Sequence, residues 1–457
     1  MATDLTQGAI WKKLLLFALP LLLSSLVQQL YNTVDLIFVG NFLGKADSSA
    51  VGASSLLITC LIGFFGGISV GVGVVVAQIF GSGDKAKLKK AVQNAIALSL
   101  SGGATLMLVG YFLAPLFLKW LNTPAELQAD AVRYLQIYFL SFIPIITYNL
   151  GAGVLRALGD AKAPLYAQLI GGVLNVVMDS AFVVVFDNGI EGVAWATLIA
   201  QSAAAAYIVY RMTKLDKAYA LDLRIIRFDK ENLIRVIEIG VPAGLQSLVI
   251  TLSNVMAQYQ INSLGVDAIA AFTAYFKVEL LIYLPIIAFG QAIMTFSGQN
   301  SGAGNYKRIR QGTRVCLLMG IGVAVFSSAL TLCFGSQLYH VFIKEPEVID
   351  LGLRIIKVSF PFYFIYALFQ VLGDSVRGQG KTNPPMIIAI INICVVRTII
   401  LFVIVPRNPD VCSVAITYPI TWALTAICMG VYYLTLQRRL AAVQNADQNE
   451  AEKNSVY

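Results

Sequence analysis

The chain has a single histidine, His340, which excludes the H-E-x-x-H motif and any zinc site that needs two imidazoles. Its six cysteines, at 60, 316, 333, 394, 412 and 428, contain no C-x-x-C pair and fall mostly in apolar stretches. Free, buried thiols are expected, with no metal centre and no cofactor. Charge is scarce too, at 13% of residues. The glycine-rich "GGISVGVGVVV" at 66–76 lacks the Lys-Ser/Thr that ends a phosphate-binding loop. A nucleotide-driven pump formed by this chain alone is thereby excluded, and the stretch reads as a small-residue helix-packing face.

What fills the space is apolar. Hydrophobic residues make up 58% of the 457 positions, and mean hydropathy is +0.74. Apolar runs of roughly 20 residues, each able to cross the hydrocarbon core as a helix, recur from Leu14 to Leu436 and number twelve by this reading. Runs such as "LLLFALPLLLSSLV" show none of the two-residue alternation of barrel strands. The expected fold class is therefore an all-α polytopic membrane protein. Lys12 and Lys13 precede an apolar run too long for a cleavable signal, so the first run is kept as a span.

The formal charge of +8 first suggests nucleic acid, but the positions of the 33 basic residues argue otherwise. Twenty-four lie at the N-terminus, in the C-terminal tail or in the even-to-odd connections, for example "KAKLKK" at 85–90 and "YKRIRQGTR" at 306–314. Only Lys45, Lys119, Lys344 and Arg407 lie in connections on the opposite side. The positive-inside rule then places both termini in the cytoplasm, and contact with anionic lipid accounts for the charge.

The two halves repeat. Pro20 and Asn32 pair with Pro242 and Asn254 at an offset of 222; Gln78, Gly81 and Gly83 pair with Gln299, Gly302 and Gly304 at 221; Arg156 and Pro164 pair with Arg377 and Pro385, again at 221. A repeat of six spans, an even number, keeps one orientation, so the halves are parallel repeats, as in two-lobed transporters. The expected domains are an N-lobe at 1–211, a cytoplasmic linker at 212–235, a C-lobe at 236–437 and a cytoplasmic tail at 438–457. The linker is read as solvated, and the polar tail as frayed.

Acids within spans are costly, at roughly 2.5 to 3.5 kcal/mol for an Asp at mid-helix, and each needs a reason. Asp35 shares a helix face with Gln28, Tyr31 and Asn32, which precede it by seven, four and three residues. In the fifth span Asn175 and Asp179 are four apart on one face. Two such carboxyls in one dehydrated cavity resist ionising together, which suits proton exchange. In the second half the seventh span carries Gln246, Thr251, Asn254 and Gln258 but no acid, and the tenth carries Tyr363, Tyr366, Gln370, Asp374 and Arg377, three or four apart on one side. Asp374 and Arg377 read equally as an ion pair. Glu279 in the eighth span is a cavity candidate, and Arg397 in the eleventh an interhelical or snorkelling cation. Pro20 and Pro144 can kink the first and fourth spans.

These features carry a family resemblance. "P-x(11)-N-x-x-D-x-x-x-V-G" from Pro20 to Gly40, "QIFGSGD" with its repeat "GQNSGAGN", "LRALGD", "NVVMD" and "GVAWATLIAQ" occur in one order along the chain. The chain resembles the multidrug and toxic compound extrusion (MATE) family, in its DinF-like or MepA-like bacterial branch. The resemblance implies two six-helix lobes and cation-coupled multidrug efflux, with H+ favoured over Na+. It assigns cation coupling to Asp35, Asn175, Asp179 and Thr197, adds Tyr134 to the cavity candidates, and makes Pro20 a hinge. Sodium could bind at Asp35, Asn175 and Asp179. The implied partners are small drug-like molecules, H+ or Na+ and membrane lipid, for a monomer in the bacterial cytoplasmic membrane. A lipid-linked precursor flippase is the alternative; it calls for a cationic cavity, and these spans hold more acids than bases.

Overall fold

The computed structural model describes residues 4–42, 45–120 and 123–455. Among them there is no β-strand. In hydrocarbon the backbone must satisfy its own polar groups, and uninterrupted apolar runs do so as helices.

The chain forms two compact units. Unit 1 comprises residues 19–244 with the extreme N-terminus: α1 (Ile10–Phe42) from Leu19 onward, α2 (Lys45–Ser82), α3 (Lys85–Trp120), α4 (Ala125–Leu140), α5 (Phe142–Ala157), α6 (Lys162–Asp179), α7 (Gly189–Thr213) and the start of α8 (Lys230–Asn262). Unit 2 comprises residues 5–18 and 245–457. It holds the start of α1, the remainder of α8, α9 (Val266–Gly302), α10 (Tyr306–Cys333), α11 (Gly335–His340), α12 (Pro346–Ser359), α13 (Tyr363–Gly378), α14 (Asn383–Ala389), α15 (Arg397–Ile404), α16 (Val411–Ala415) and α17 (Thr417–Ser455). The contact boundaries therefore fall inside α1 and α8.

Among the described residues eleven helical stretches are long and apolar enough to cross a membrane, and the α4–α5 pair, bent by 42°, makes a twelfth. The bend sits at Ser141, three residues before Pro144. Pro144 has no N–H for the Leu140 carbonyl, so the helix opens one turn ahead of it. Pro20 behaves differently: α1 runs through it unbroken.

The duplication is visible in the backbone. Gly83 and Gly304, repeat partners, end α2 and α9 at φ of +75° and +69°; Gly159 and Gly380, also partners, end α5 and α13 at +83° and +80°. Each N–H bonds back to the helix it closes, Gly159 to Arg156 O and Gly380 to Arg377 O at 2.8 Å. Positive φ at a helix C-terminus is where glycine is needed. Each half also has a π-helical turn, Ser180–Val185 after α6 and Ile390–Val396 before α15, but the two are not repeat partners, since Ser180 falls on Leu401 at the offset of 221.

The glycine-rich stretch does pack closely. In unit 1 a Cβ on Gly67 would lie 2.0 Å from Gly244 N, and one on Gly71 2.8 Å from Gly240 Cα. Two expectations are corrected. The linker is not simply solvated: Leu221 is buried, Asp229 N–H donates to Asn94 Oδ1 at 3.2 Å, and Arg235 Nη2 donates to Gln78 Oε1 at 2.8 Å. The Gln93 amide, with its nitrogen toward the linker, donates to Asp222 O and Ile225 O and accepts from Asp222 N–H. The Asp222 and Asp229 amides and the Asp222 and Ile225 carbonyls are what the α3 side chains bind. The tail expected to fray from 441 is helical instead, since α17 continues to Ser455. Its Ala-, Gln- and Glu-rich sequence has neither Gly nor Pro to stop a helix.

Candidate ion-coupling site

Unit 1 brings the two acids together. Asp35 lies in the second half of α1, and Asp179 is the last residue of α6, which packs along α7. Their carboxyls are electrostatic neighbours inside unit 1. Asp179 is 0% exposed and Asn175, one turn earlier, 2%. Asp35 Oδ1, Asn175 Oδ1 and both Asp179 carboxylate oxygens are buried, with no N–H or O–H of a described residue reaching them. Four buried acceptors without a donor are unusual, because buried oxygens are normally paired. Such a constellation can take a proton between the carboxyls or a small cation among the oxygens.

Tyr134, Tyr31 and Thr197, among the remaining predicted N-half residues, lie around this pair. Tyr134, on α4, is a coulombic neighbour of both acids, and its ring lies 5.9 Å from that of Tyr138. The Tyr31 hydroxyl is in hydrogen-bonding reach of Gln28 and Gln168. Thr197 on α7 donates to Val193 O at 3.0 Å and lines a small cavity with Tyr31, Gln168, Asn175 and Gln201. Gly171, Ala200 and Ala204, also lining it, leave that space by their size. Asn32 shares α1 but is exposed.

Gln168 and Gln201 were not singled out from sequence, yet both were readable. Gln168 precedes Asn175 by seven residues and Gln201 follows Thr197 by four, spacings that keep each on its partner's helix face. Tyr138 gave less signal, because an aromatic in an apolar run reads first as packing.

In unit 2 the predicted candidates do not form one site. Gln246 accepts from Arg377 Nη2 at 2.8 Å, Arg377 pairs closely with Asp374, and Gln370 Nε2 donates to Asp374 Oδ2 at 2.7 Å. Gln246 and Gln370 are thus held in an ion-pair network. Gln258 donates to Asn262 Oδ1 at 2.7 Å, and Asn254 is exposed. Glu279 stands apart, accepting from the Tyr363 hydroxyl.

The chain is similar to known transporters over nearly its whole length. It is 31% identical over 401 residues to the probable multidrug resistance protein YpnP of Bacillus subtilis, covering 87% of this chain and 88% of that one. It is 25% identical over 402 residues to the probable multidrug resistance protein NorM of Thermotoga maritima, covering 86% and 85%. A solved structure described as the outward-facing conformation of a multidrug resistance MATE family transporter of the MOP superfamily superposes with a TM-score of 0.90, at 21% identity, over 96% of this chain and 99% of that one. The profile of the MatE family matches residues 20–180 and 242–403, one block in each half of the repeat and together more than half of the sequence. The chain is a polytopic helical membrane protein of the MatE (MATE) family of multidrug transporters.

Proposed function

We propose that the chain is a cation-coupled antiporter that expels amphipathic, commonly cationic organic compounds by alternating access, from the bacterial cytoplasmic membrane and with both termini in the cytoplasm. The observation that carries this reading is the set of four unpartnered buried oxygens on Asp35, Asn175 and Asp179. Two neighbouring carboxyls without a donor call for a positive charge, and intramembrane acids of this kind mark proton relays and ion pathways.

H+ is the favoured coupling ion. One proton between Asp35 and Asp179 completes the pair, whereas Na+ would need more of the oxygens, with Asn175 Oδ1 and Thr197 Oγ1 joining the carboxylates. Binding of the ion competes with the drug-bound state of the protein, so ion entry favours drug release. Moving one elementary charge through 100 mV supplies about 2.3 kcal/mol, roughly fifty-fold accumulation at 1.36 kcal/mol per tenfold.

The test is efflux of a fluorescent organic cation from proteoliposomes under an imposed pH or sodium gradient. Asp35→Asn and Asp179→Asn should each cut the gradient-driven rate by tenfold or more. Retention of that rate in both variants sinks the assignment, and a response to Na+ alone would replace H+ as the ion.

A further inference from the structure

Unit 1 carries a surface that neither its packing nor the coupling site uses. It lies on the connection from α7 to α8. The inner side of this connection is fixed: Tyr219 and Leu221 are buried, and Leu221 N–H donates to Met212 O at the end of α7 at 3.1 Å. Gln93 and Asn94 of α3 hold its backbone at Asp222, Ile225 and Asp229. The outer side is uncovered. Leu223 is 55% exposed, Ile225 47% and Phe228 51%, and Arg224 and Arg227, interleaved with them, are exposed as well.

The charges of the connection are sorted between the two sides. Asp216, Asp222 and Asp229 accept from backbone N–H groups close by in the chain, those of Ala218 at 2.9 Å, Arg224 at 3.0 Å and Asn232 at 3.1 Å. They serve as turn and cap acceptors, and Asp229 also pairs with Lys90 at 3.7 Å. The ion pairs among the described residues include none of Lys217, Arg224, Arg227 and Lys230. From Leu223 to Phe228 the chain thus shows two cations, three exposed apolar side chains and no acid.

The depth of this strip follows from α3. Four lysines crowd residues 85–90, and the 28 residues from Ala91 to Leu118 carry no charge. At 1.5 Å per residue that run is about 42 Å long, against roughly 30 Å of hydrocarbon, so its first turns lie in the headgroup layer. Gln93 and Asn94, near the start of the run, hold the connection at that level. Tyr210, 56% exposed near the end of α7 with Lys214 Nζ 5.6 Å from its ring centre, is an interfacial aromatic beside it. In water the three apolar side chains would have nothing to bury against. In the headgroup layer both they and the arginines find partners.

We propose that the strip from Leu223 to Phe228 is a docking surface for anionic phospholipid. Arg224 and Arg227 pair with the negative headgroups, and Leu223, Ile225 and Phe228 enter the boundary between headgroups and acyl chains. The connection between the halves is then held twice, to α3 through its backbone and to the bilayer through its side chains. This assignment is independent of the efflux reading, and a bilayer with the same lipid in both leaflets makes its test independent of which side the connection faces.

The experiment measures hydrogen–deuterium exchange of the full-length protein in nanodiscs of phosphatidylcholine, alone or with roughly one-third phosphatidylglycerol. The readout is the stretch Ile226 to Phe228, whose amides have no acceptor among the described residues. Exchange there should be about threefold slower with phosphatidylglycerol, because each basic residue near an anionic surface adds attraction. Arg224→Gln combined with Arg227→Gln should remove that difference, whereas Lys344→Gln, in a connection on the opposite side, should keep it. Leu223→Ser combined with Phe228→Ser should speed exchange in both bilayers. Raising salt from about 0.1 M to about 1 M shortens the screening length from ~10 Å to ~3 Å and should erase the difference in the native protein, a check that needs no variant. Thermal unfolding identifies any variant that has lost its fold. Equal exchange of the native protein in the two bilayers overturns the proposal and leaves the strip to a soluble protein partner. A difference that survives the arginine double variant assigns the lipid to other basic residues and overturns it too. Unchanged exchange in the serine double variant overturns the entry of the apolar side chains.

Discussion

At the scale of single residues, the positions that matter most are those where size or charge leaves no alternative. Gly67 is one. The Gly244 backbone nitrogen lies where its Cβ would be, so even alanine forces the α2 and α8 backbones apart. Overpacking of this kind costs about 1 to 3 kcal/mol, and more where the obstacle is backbone. Gly67→Ala should therefore lower the thermal unfolding midpoint by several degrees, whereas Gly66→Ala, with nothing within 4 Å of its Cβ, should leave it nearly unchanged. Equal midpoints for the two variants would mean that the crossing is looser than its geometry indicates. The acids were legible for a related reason: a carboxylate in an apolar run stands out, and helical spacing alone joins Asp35 to Tyr31 and Asn175 to Asp179. The aromatic partner Trp422 was not legible, because it differs in no way from a packing residue until Tyr363 of the tenth span is placed against it.

At the scale of elements, the polar connection between the halves behaves as part of unit 1. Residues 219–225 bond in part among themselves and to the end of α7, and the side chains of Gln93 and Asn94 on α3 take up the amides of Asp222 and Asp229 and the carbonyls of Asp222 and Ile225. An intramolecular hydrogen bond contributes roughly 1 kcal/mol net. Asn94→Ala should therefore speed amide exchange at Asp229 by five- to tenfold, measured by hydrogen–deuterium exchange, with little change at Leu233, whose N–H bonds within the chain to Asp229 O at 2.8 Å. Uniform acceleration along the whole segment would point instead to global loosening. Here sequence reasoning fell short for a physical reason. Polarity marks a segment as able to face water, but not as obliged to, and a buried Leu221 is too small a signal to reverse the reading. The α17 extension taught the converse, since low apolar content argued for fraying while the absence of helix breakers let the helix continue. The number of spans fared better, because about 20 apolar residues in a row have few other uses.

At the scale of the molecule, the two halves share backbone features and differ in chemistry. Gly83 with Gly304 and Gly159 with Gly380 show that the turns ending their helices are duplicated. The acid pair is not. At the repeat offsets Asp35 falls on Ala257 and Asp179 on Ile400. Ala257 is 1% exposed, within the hydrophobic core of unit 2. Equivalent sites would exchange function if the coupling carboxyls worked through the scaffold alone. If instead they work through each other, moving one of them gains nothing. Ala257→Asp would place a carboxylate where no second acid waits, and a buried charge without a partner costs about 3 to 5 kcal/mol. The variant should unfold at a clearly lower temperature, and Asp35→Asn combined with Ala257→Asp should remain uncoupled in the proteoliposome assay. Recovery of gradient-driven efflux by the double variant would show that the halves are interchangeable. The coupling reading would then have to move from the neighbouring pair of unit 1 to the position of one acid in either repeat.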